Sequence, residues 1–285
     1  MNEAYEIVGT ILKGNLTEQA RSHLQGLKPE NVLVVPGKYD QIGGVLNAAG
    51  IGYVQGRPTR ANLRDAQVVI VNCPGNELAR RGAQVRDWVA SGGRLLTTDW
   101  AVEPLQKMFP NYIQRNGQAT GDECVLLDRG SLGGDQIMVG GIVPERAVWW
   151  LETASYPFKV ARGVEVILTS KELERRYGSS LVAVEWDYGQ GKVRHMISHL
   201  YLQRHELRSA EDHRSFTESS YKYGLDQMSM EKLSTTINLD EVPDGAVAAS
   251  LSAVSQLVSF MTAESSGEDS GLVSRTPGND DSLWV

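Results

Sequence analysis

Residues 85–103 read VRDWVASGGRLLTTDWAVE. An amphipathic helical pattern runs into Gly92-Gly93, which ends it. The run from Arg94 to Thr98 then predicts a buried strand that stops at Asp99-Trp100. Helix, glycines and buried strand in that order are the repeating unit of an α/β sheet. Ligands of such sheets sit outside the carboxyl ends of the strands, so any chemistry belongs at Asp99 and Trp100.

Working outward, the same grammar recurs. Residues 1–30 predict a helical lead-in, with Ile7, Ile11 and Leu12 at helical spacing. Strands are predicted over 31–35, 51–55 and 67–72. Helices are predicted over 40–49, stopped by Gly50, over 77–90, capped by Asn76, and over 103–109, stopped by Pro110. Strands apolar throughout imply a sheet covered on both faces. Alternation of strand and helix implies parallel order with right-handed crossovers. The fold class is therefore a doubly wound, mostly parallel, flavodoxin-like α/β sheet.

The middle of the chain is less regular. Residues 123–127 and 136–139 predict short strands. Residues 147–153, with Trp149-Trp150, predict a short helix or an irregular cover. Strands over 164–169 and 181–186 precede a glycine turn at 187–191 and a returning strand over 192–198. Beyond His205 the chain turns polar. Residues 246–261 are apolar at i, i+4 and i+7 and predict a docking helix. The tail, 264–285, holds Glu264, Glu268, Asp269, Asp280 and Asp281 against Arg275, a net −4 of the chain's −7. Such a segment buries too little apolar area to order itself and is expected to be disordered, with an apolar end at Leu283-Trp284-Val285. The expected division is 1–30, 31–205, 206–262 and 263–285.

The 285 residues suffice for a large core without staples. A net charge of −7 with no long Lys/Arg run argues against nucleic-acid binding. Two cysteines, Cys73 and Cys124, make no disulfide framework and suit a reducing, cytoplasmic compartment. No signal-peptide pattern and no run of about 18 apolar residues is read, so no membrane association is expected.

The order VLVVPG, helix, GIGYVQG, DAQVVIVNCPG, VRDWVASGGRLLTTD resembles the class I glutamine amidotransferase-like superfamily. The likeness is greatest to its non-glutaminase, ThuA-like branches, which share a late hairpin of the form seen in WDYGQGKVRHMISH. It covers about residues 31–205. The resemblance implies that an active glutaminase would carry a cysteine on a Gly-x-Cys-x-Gly turn after the strand at 94–98, where backbone N–H groups form an oxyanion hole. Here that turn is Thr97-Thr98-Asp99-Trp100-Ala101. The family's His-x-Glu pair is absent: His199-Leu200-Tyr201 comes nearest to it, and His205-Glu206 are adjacent rather than spaced. Glutamine hydrolysis by the family mechanism is not expected.

Asp99 at a strand end suits a base, a metal ligand or a hydroxyl acceptor, against the alternative of a helix cap. His199 suits an acid or base near neutral pH. On a regular strand it would lie roughly 13 Å from His195, too far to share a metal. The group His199, His205, Glu206, Asp212 and His213 matches no zinc spacing, so no metal and no cofactor are expected. Cys73 precedes Pro74-Gly75 and a helix, where a thiol can be reactive or a small apolar strand-end residue. Pro36-Gly37-Lys38 ends the first strand and offers backbone N–H groups to an anion, with Arg57 and Arg60 nearby. Trp149, Trp150 and Tyr156 suggest an aromatic cover.

The expected function is a non-catalytic domain that binds a small ligand, or a protein through its C-terminal extension. Asp99 and His199 are the candidate catalytic pair, and Pro36, Gly37, Lys38, Cys73, Gly75 and Trp100 the candidate ligand contacts. The alternative is a hydrolase using Asp99 with His199, with or without a metal.

Overall fold

A computed structural model describes residues 2–128, 147–201, 205–262 and 284. The first half alternates as the sequence predicts. Helices α1 (Asn2–Asn15) and α2 (Glu18–Gly26) precede β1 (Val32–Val35), α3 (Gly43–Ala49) and β2 (Val54–Gln55). Then follow α4 (Arg60–Asp65), β3 (Val68–Val71), α5 (Asn76–Ala90), β4 (Arg94–Thr98) and α6 (Val102–Met108). The second half contains β5 (Ile113–Arg115), β6 (Glu123–Leu126), β7 (Val148–Leu151), β8 (Phe158–Val160), β9 (Glu165–Thr169), α7 (Lys171–Tyr177), β10 (Leu181–Tyr188) and β11 (Gly191–Met196). Three helices close the described chain: α8 (Phe216–Ser219), α9 (Gln227–Ser234) and α10 (Asp244–Thr262).

The central sheet has the order β2-β1-β3-β4-β11-β10-β9. From β2 to β11 every pair is parallel, and β10 and β9 add antiparallel strands at one edge. Every residue of β1, β3 and β4 is buried, as a sheet covered on both faces requires. Right-handed crossovers send α3 to one face and α4 and α5 to the other, because the strand order reverses after β2. Alongside α3 lie α1 and α10, which pack on each other.

Gly92-Gly93 earns its place physically. Gly92 has φ +114°, which side-chain-bearing residues rarely adopt, and a Cβ on Gly93 would sit 2.4 Å from the Trp88 ring. That close packing folds α5 back onto β4.

Several elements differ from expectation. Helix α3 begins at Gly43, because Asp40 is held outside it by a hydrogen bond from Thr98. Asn76 does not cap α5; Gly75 does, with φ +76° and no side-chain bond. Residues 148–151 form a strand paired with β6 and not a helix. Tyr156 does not join Trp149 and Trp150: it stacks on Trp100, with ring centroids 5.4 Å apart. The predicted strand over 136–139 lies outside the described residues, as does the acidic tail apart from Trp284. Trp284 bridges Ala161 and lies 5.4 Å from the Lys159 ammonium.

The helix expected over 246–261 is α10, which runs from Asp244 to Thr262. It is long and apolar enough to cross a membrane, yet all 19 of its residues are buried against protein. Two buried arginines on the sheet bond to its carbonyls: Arg94 to Phe260 at 2.7 Å and Arg194 to Gln256 at 2.8 Å. A helix uncharged after Asp244 and buried on every face is a core helix, and this one fills the layer beside α1.

Candidate functional site

The carboxyl ends of β3, β4 and β11 bring Cys73, Asp99 and His199 together. Asp99 Oδ2 lies 3.8 Å from Cys73 Sγ and 3.6 Å from His199 Nε2. On its other side the His199 ring, through Nδ1, contacts the Glu152 carboxylate. Cys73 is 1% exposed, and Asp99 and His199 are each 3% exposed, while Glu152 is half-buried and reaches solvent.

The backbone is bent to achieve this. Among the described residues three non-glycine residues have positive φ: Asp99 at +47°, Ala154 at +68° and Ser198 at +62°. Each such residue costs about 1–3 kcal/mol, and such strain concentrates at functional sites. All three stand here. Asp99 turns the chain from β4 into a short 3-10 turn, a strand-to-helix bend that sets its buried side chain at the sheet's carboxyl edge. Ser198 ends the regular run of β11, so His199 leaves the line of His195 and reaches Asp99. Residues 152–156 wrap over both strand ends. Glu152 N donates to Ser198 Oγ at 3.0 Å, Trp100 Nε1 to Ala154 O at 2.6 Å, and Tyr156 N to Asp99 Oδ1 at 3.1 Å.

Burial sets the electrostatics. It pushes the Asp99 carboxyl up to about 7, an effect the Glu152 charge reinforces and the N–H groups of Tyr156 and Ser198 oppose. It also pushes the Cys73 thiol up, with Asp99 adding to the effect. Cys73 is thus a protonated, unreactive thiol in the absence of a cation. Burial lowers His199 while Glu152 raises it, and burial wins. His195 is separate. Fully buried on β11, hydrogen-bonded to Thr97 Oγ1 at 2.8 Å and packed edge-on against Phe158, it is lowered to about 3 and stays neutral.

Beside this cluster an open cleft of about 400 Å³ lies at the ends of β1, β2 and β3. Asp40, Gln41, Asn72, Tyr53 and Tyr201 line it, with Pro36 and Gly37. Asp40 is buried, accepts from Thr98 Oγ1 at 2.9 Å and from Gln41 N at 2.7 Å, and is pushed up to about 6 by burial. Of the expected ligand contacts, Pro36 and Gly37 border the cleft. Lys38, Cys73, Gly75 and Trp100 do not. The N–H groups of Lys38 and Tyr39 both donate to Cys73 O, at 2.9 and 3.4 Å, and are already spent as anion donors. Arg57 lies 3.8 Å from Glu77. Trp100 is packed between Tyr39 and Tyr156. A larger recess of about 780 Å³, bordered by Gln67, Arg94 and Gly92, lies at the opposite, amino end of the strands.

Asp99 does not cap the following helix, since its carboxylate bonds to the distant Tyr156. Among the described residues the only trio of potential metal-ligating atoms lying together is Cys73, Asp99 and His199, all within 4.8 Å of one another. His205, Glu206, Asp212 and His213 do not gather with His199, and Asp212 accepts instead from the backbone of Arg208 and Ser209. Glu152 and Asp40 are the site residues the sequence reading misses.

No family model matches the chain, and no curated protein matches it. Solved structures similar to it include a cytoplasmic protein from Salmonella typhimurium, at 11% identity over 80% of this chain and 98% of that one, with a TM-score of 0.46. A glutamine amidotransferase from Thermotoga maritima matches at 12% identity over 82% and 99%, with a TM-score of 0.45. A putative ThuA-like protein from Bacteroides uniformis matches at 12% identity over 59% and 81%, with a TM-score of 0.38. At these identities the likeness is one of fold alone.

Proposed function

We propose that this chain is a small-ligand-binding domain whose ligand occupies the cleft at the carboxyl ends of β1, β2 and β3. The observation that carries the reading is the position of the cleft. It opens where the strand order reverses between β1 and β3, the crevice in which doubly wound sheets bind ligands. Counting only parallel strands, the order 2-1-3-4-5 is that of a flavodoxin-like sheet. A volume of about 400 Å³ admits a molecule of monosaccharide or nucleoside size. The lining holds amides at Gln41, Asn47, Gln55 and Asn72, two tyrosines and one carboxyl, with no Lys or Arg. That chemistry favours a neutral, hydroxyl-bearing ligand over an anion.

Isothermal titration against a panel of monosaccharides and nucleosides tests this. Saturable binding that Asp40→Asn weakens at least tenfold, without loss of the circular-dichroism spectrum, supports the reading. Binding unaffected by Asp40→Asn and Tyr201→Ala overturns it.

The second reading, a hydrolase, is favoured by the approach of Asp99 to His199 and by the Glu152 carboxylate that orients the imidazole. Its mark is turnover lost in both Asp99→Asn and His199→Gln.

A further inference from the structure

We infer that Cys73, Asp99 and His199 form a binding site for a single divalent transition-metal ion of the zinc class. The inference stands apart from the ligand cleft and rests on three lone-pair-bearing atoms aimed at one point.

The imidazole fixes the argument. With Nδ1–H turned toward the Glu152 carboxylate, Nε2 carries the lone pair, and it faces Asp99 Oδ2. Oδ2 also faces the Cys73 sulfur. A nitrogen, an oxygen and a sulfur thus converge in a space almost closed to water. One proton can bridge two of them; a cation satisfies all three.

The dimensions fit. Bonds of about 2.0–2.3 Å at tetrahedral angles put zinc ligands about 3.3–3.8 Å apart. The measured edges from Asp99 Oδ2 are 3.8 Å to sulfur and 3.6 Å to nitrogen, and the third edge is within 4.8 Å. Small side-chain rotations close the triangle. The mixed S, N, O set is borderline in softness and suits Zn²⁺ and Co²⁺ over Mg²⁺ or Ca²⁺.

The outer contacts match as well. Glu152 holds the far side of the imidazole as a carboxylate–histidine–metal arrangement requires, and Tyr156 N–H holds the second oxygen of Asp99. Three protein ligands leave a fourth position for water or another small ligand. On binding, the Cys73 thiol gives its proton to solvent and coordinates as thiolate.

The test uses the full-length chain, stripped with a chelator and titrated with Co²⁺ under reducing conditions. The expected result is one equivalent bound, with tetrahedral ligand-field absorption and a thiolate-to-cobalt charge-transfer band, both removed by added Zn²⁺. Cys73→Ser should abolish the charge-transfer band, and Glu152→Gln should weaken Co²⁺ binding about 10–100-fold. Cys124→Ser should change neither. A wild-type protein that gives no thiolate band at saturating Co²⁺ overturns the inference without any variant. So does a band that survives Cys73→Ser. A stable wild type that binds no Co²⁺ or Zn²⁺ would leave a shared proton as what joins the three side chains, and would equally overturn the site.

Discussion

Asp99 accepts the backbone N–H of Tyr156 at 3.1 Å while holding φ at +47°. The two facts predict how substitutions will rank. Asp99→Asn keeps an acceptor oxygen and a residue type that tolerates the left-handed region. Asp99→Ala loses both, leaving a part-buried N–H without its acceptor at a cost of about 1 kcal/mol in addition to backbone strain. Urea unfolding should show Asp99→Ala at least 1 kcal/mol less stable than Asp99→Asn. Equal stability would mean that the carboxylate does not hold residues 152–156 in place.

How much of this was legible differs by element. The strand at 94–98 is plain because Leu95-Leu96 and the β-branched Thr97-Thr98 stand between Gly-Gly and Asp-Trp. The strand-end rule then points to Asp99 and His199 without any contact being known. Glu152 is hidden because Trp149-Trp150 has no period that separates strand from helix, and its partner His199 is remote in sequence. Asp40 reads as the start of a helix, and only Thr98, brought beside it by the sheet, pulls it out. For α10 the signal was present: residues 245–262 contain no charged side chain, which marks a helix buried on every face. The i, i+4 pattern alone conceals that.

Arg194 tests the docking of α10. Its side chain is 2% exposed and bonds to Glu185 Oε2, Gln256 O and Ser259 Oγ, each at 2.8 Å. Removing one partner of a buried ion pair costs about 3–5 kcal/mol. Arg194→Ala should lose that much in chemical denaturation. Glu185 retains Lys192 at 2.9 Å, so Arg194→Met, which refills the volume, should recover part of the loss. An Arg194→Ala variant as stable as wild type would mean that the bonds from Arg194 do not hold α10 in place.

His195 makes a separate pH prediction. Its folded value, about 3, lies below the ordinary 6.5 because burial disfavours the charged ring. The unfolded chain therefore binds more protons between about pH 3 and 6.5. Stability from this group falls as pH drops through that window, by about 1.4 kcal/mol per pH unit. Subtracting the stability of His195→Gln from that of wild type should leave a difference that decreases on acidification from pH 6 to 4. A difference independent of pH would place a charged imidazole in the folded state.

Asp40 should give the opposite slope. Its carboxyl is buried and pushed up to about 6, although Thr98 O–H and the N–H groups of Gln41, Leu200 and Tyr201 all favour the charged form. The folded state therefore binds more protons than the unfolded state between about pH 4 and 6. Stability from this group is complete below pH 4 and is lost as pH rises through 6. The wild-type advantage over Asp40→Asn should shrink across that window by about 1.4 kcal/mol per pH unit, whatever the constant offset between the two proteins. Because His195 and Asp40 slope in opposite directions there, their contributions offset each other in the wild type. Only the single variants separate them. A ligand that donates hydrogen bonds to the charged Asp40 would pull its value down, so binding should tighten as pH rises from 5 to 7. Affinity flat across that range would place the ligand away from Asp40.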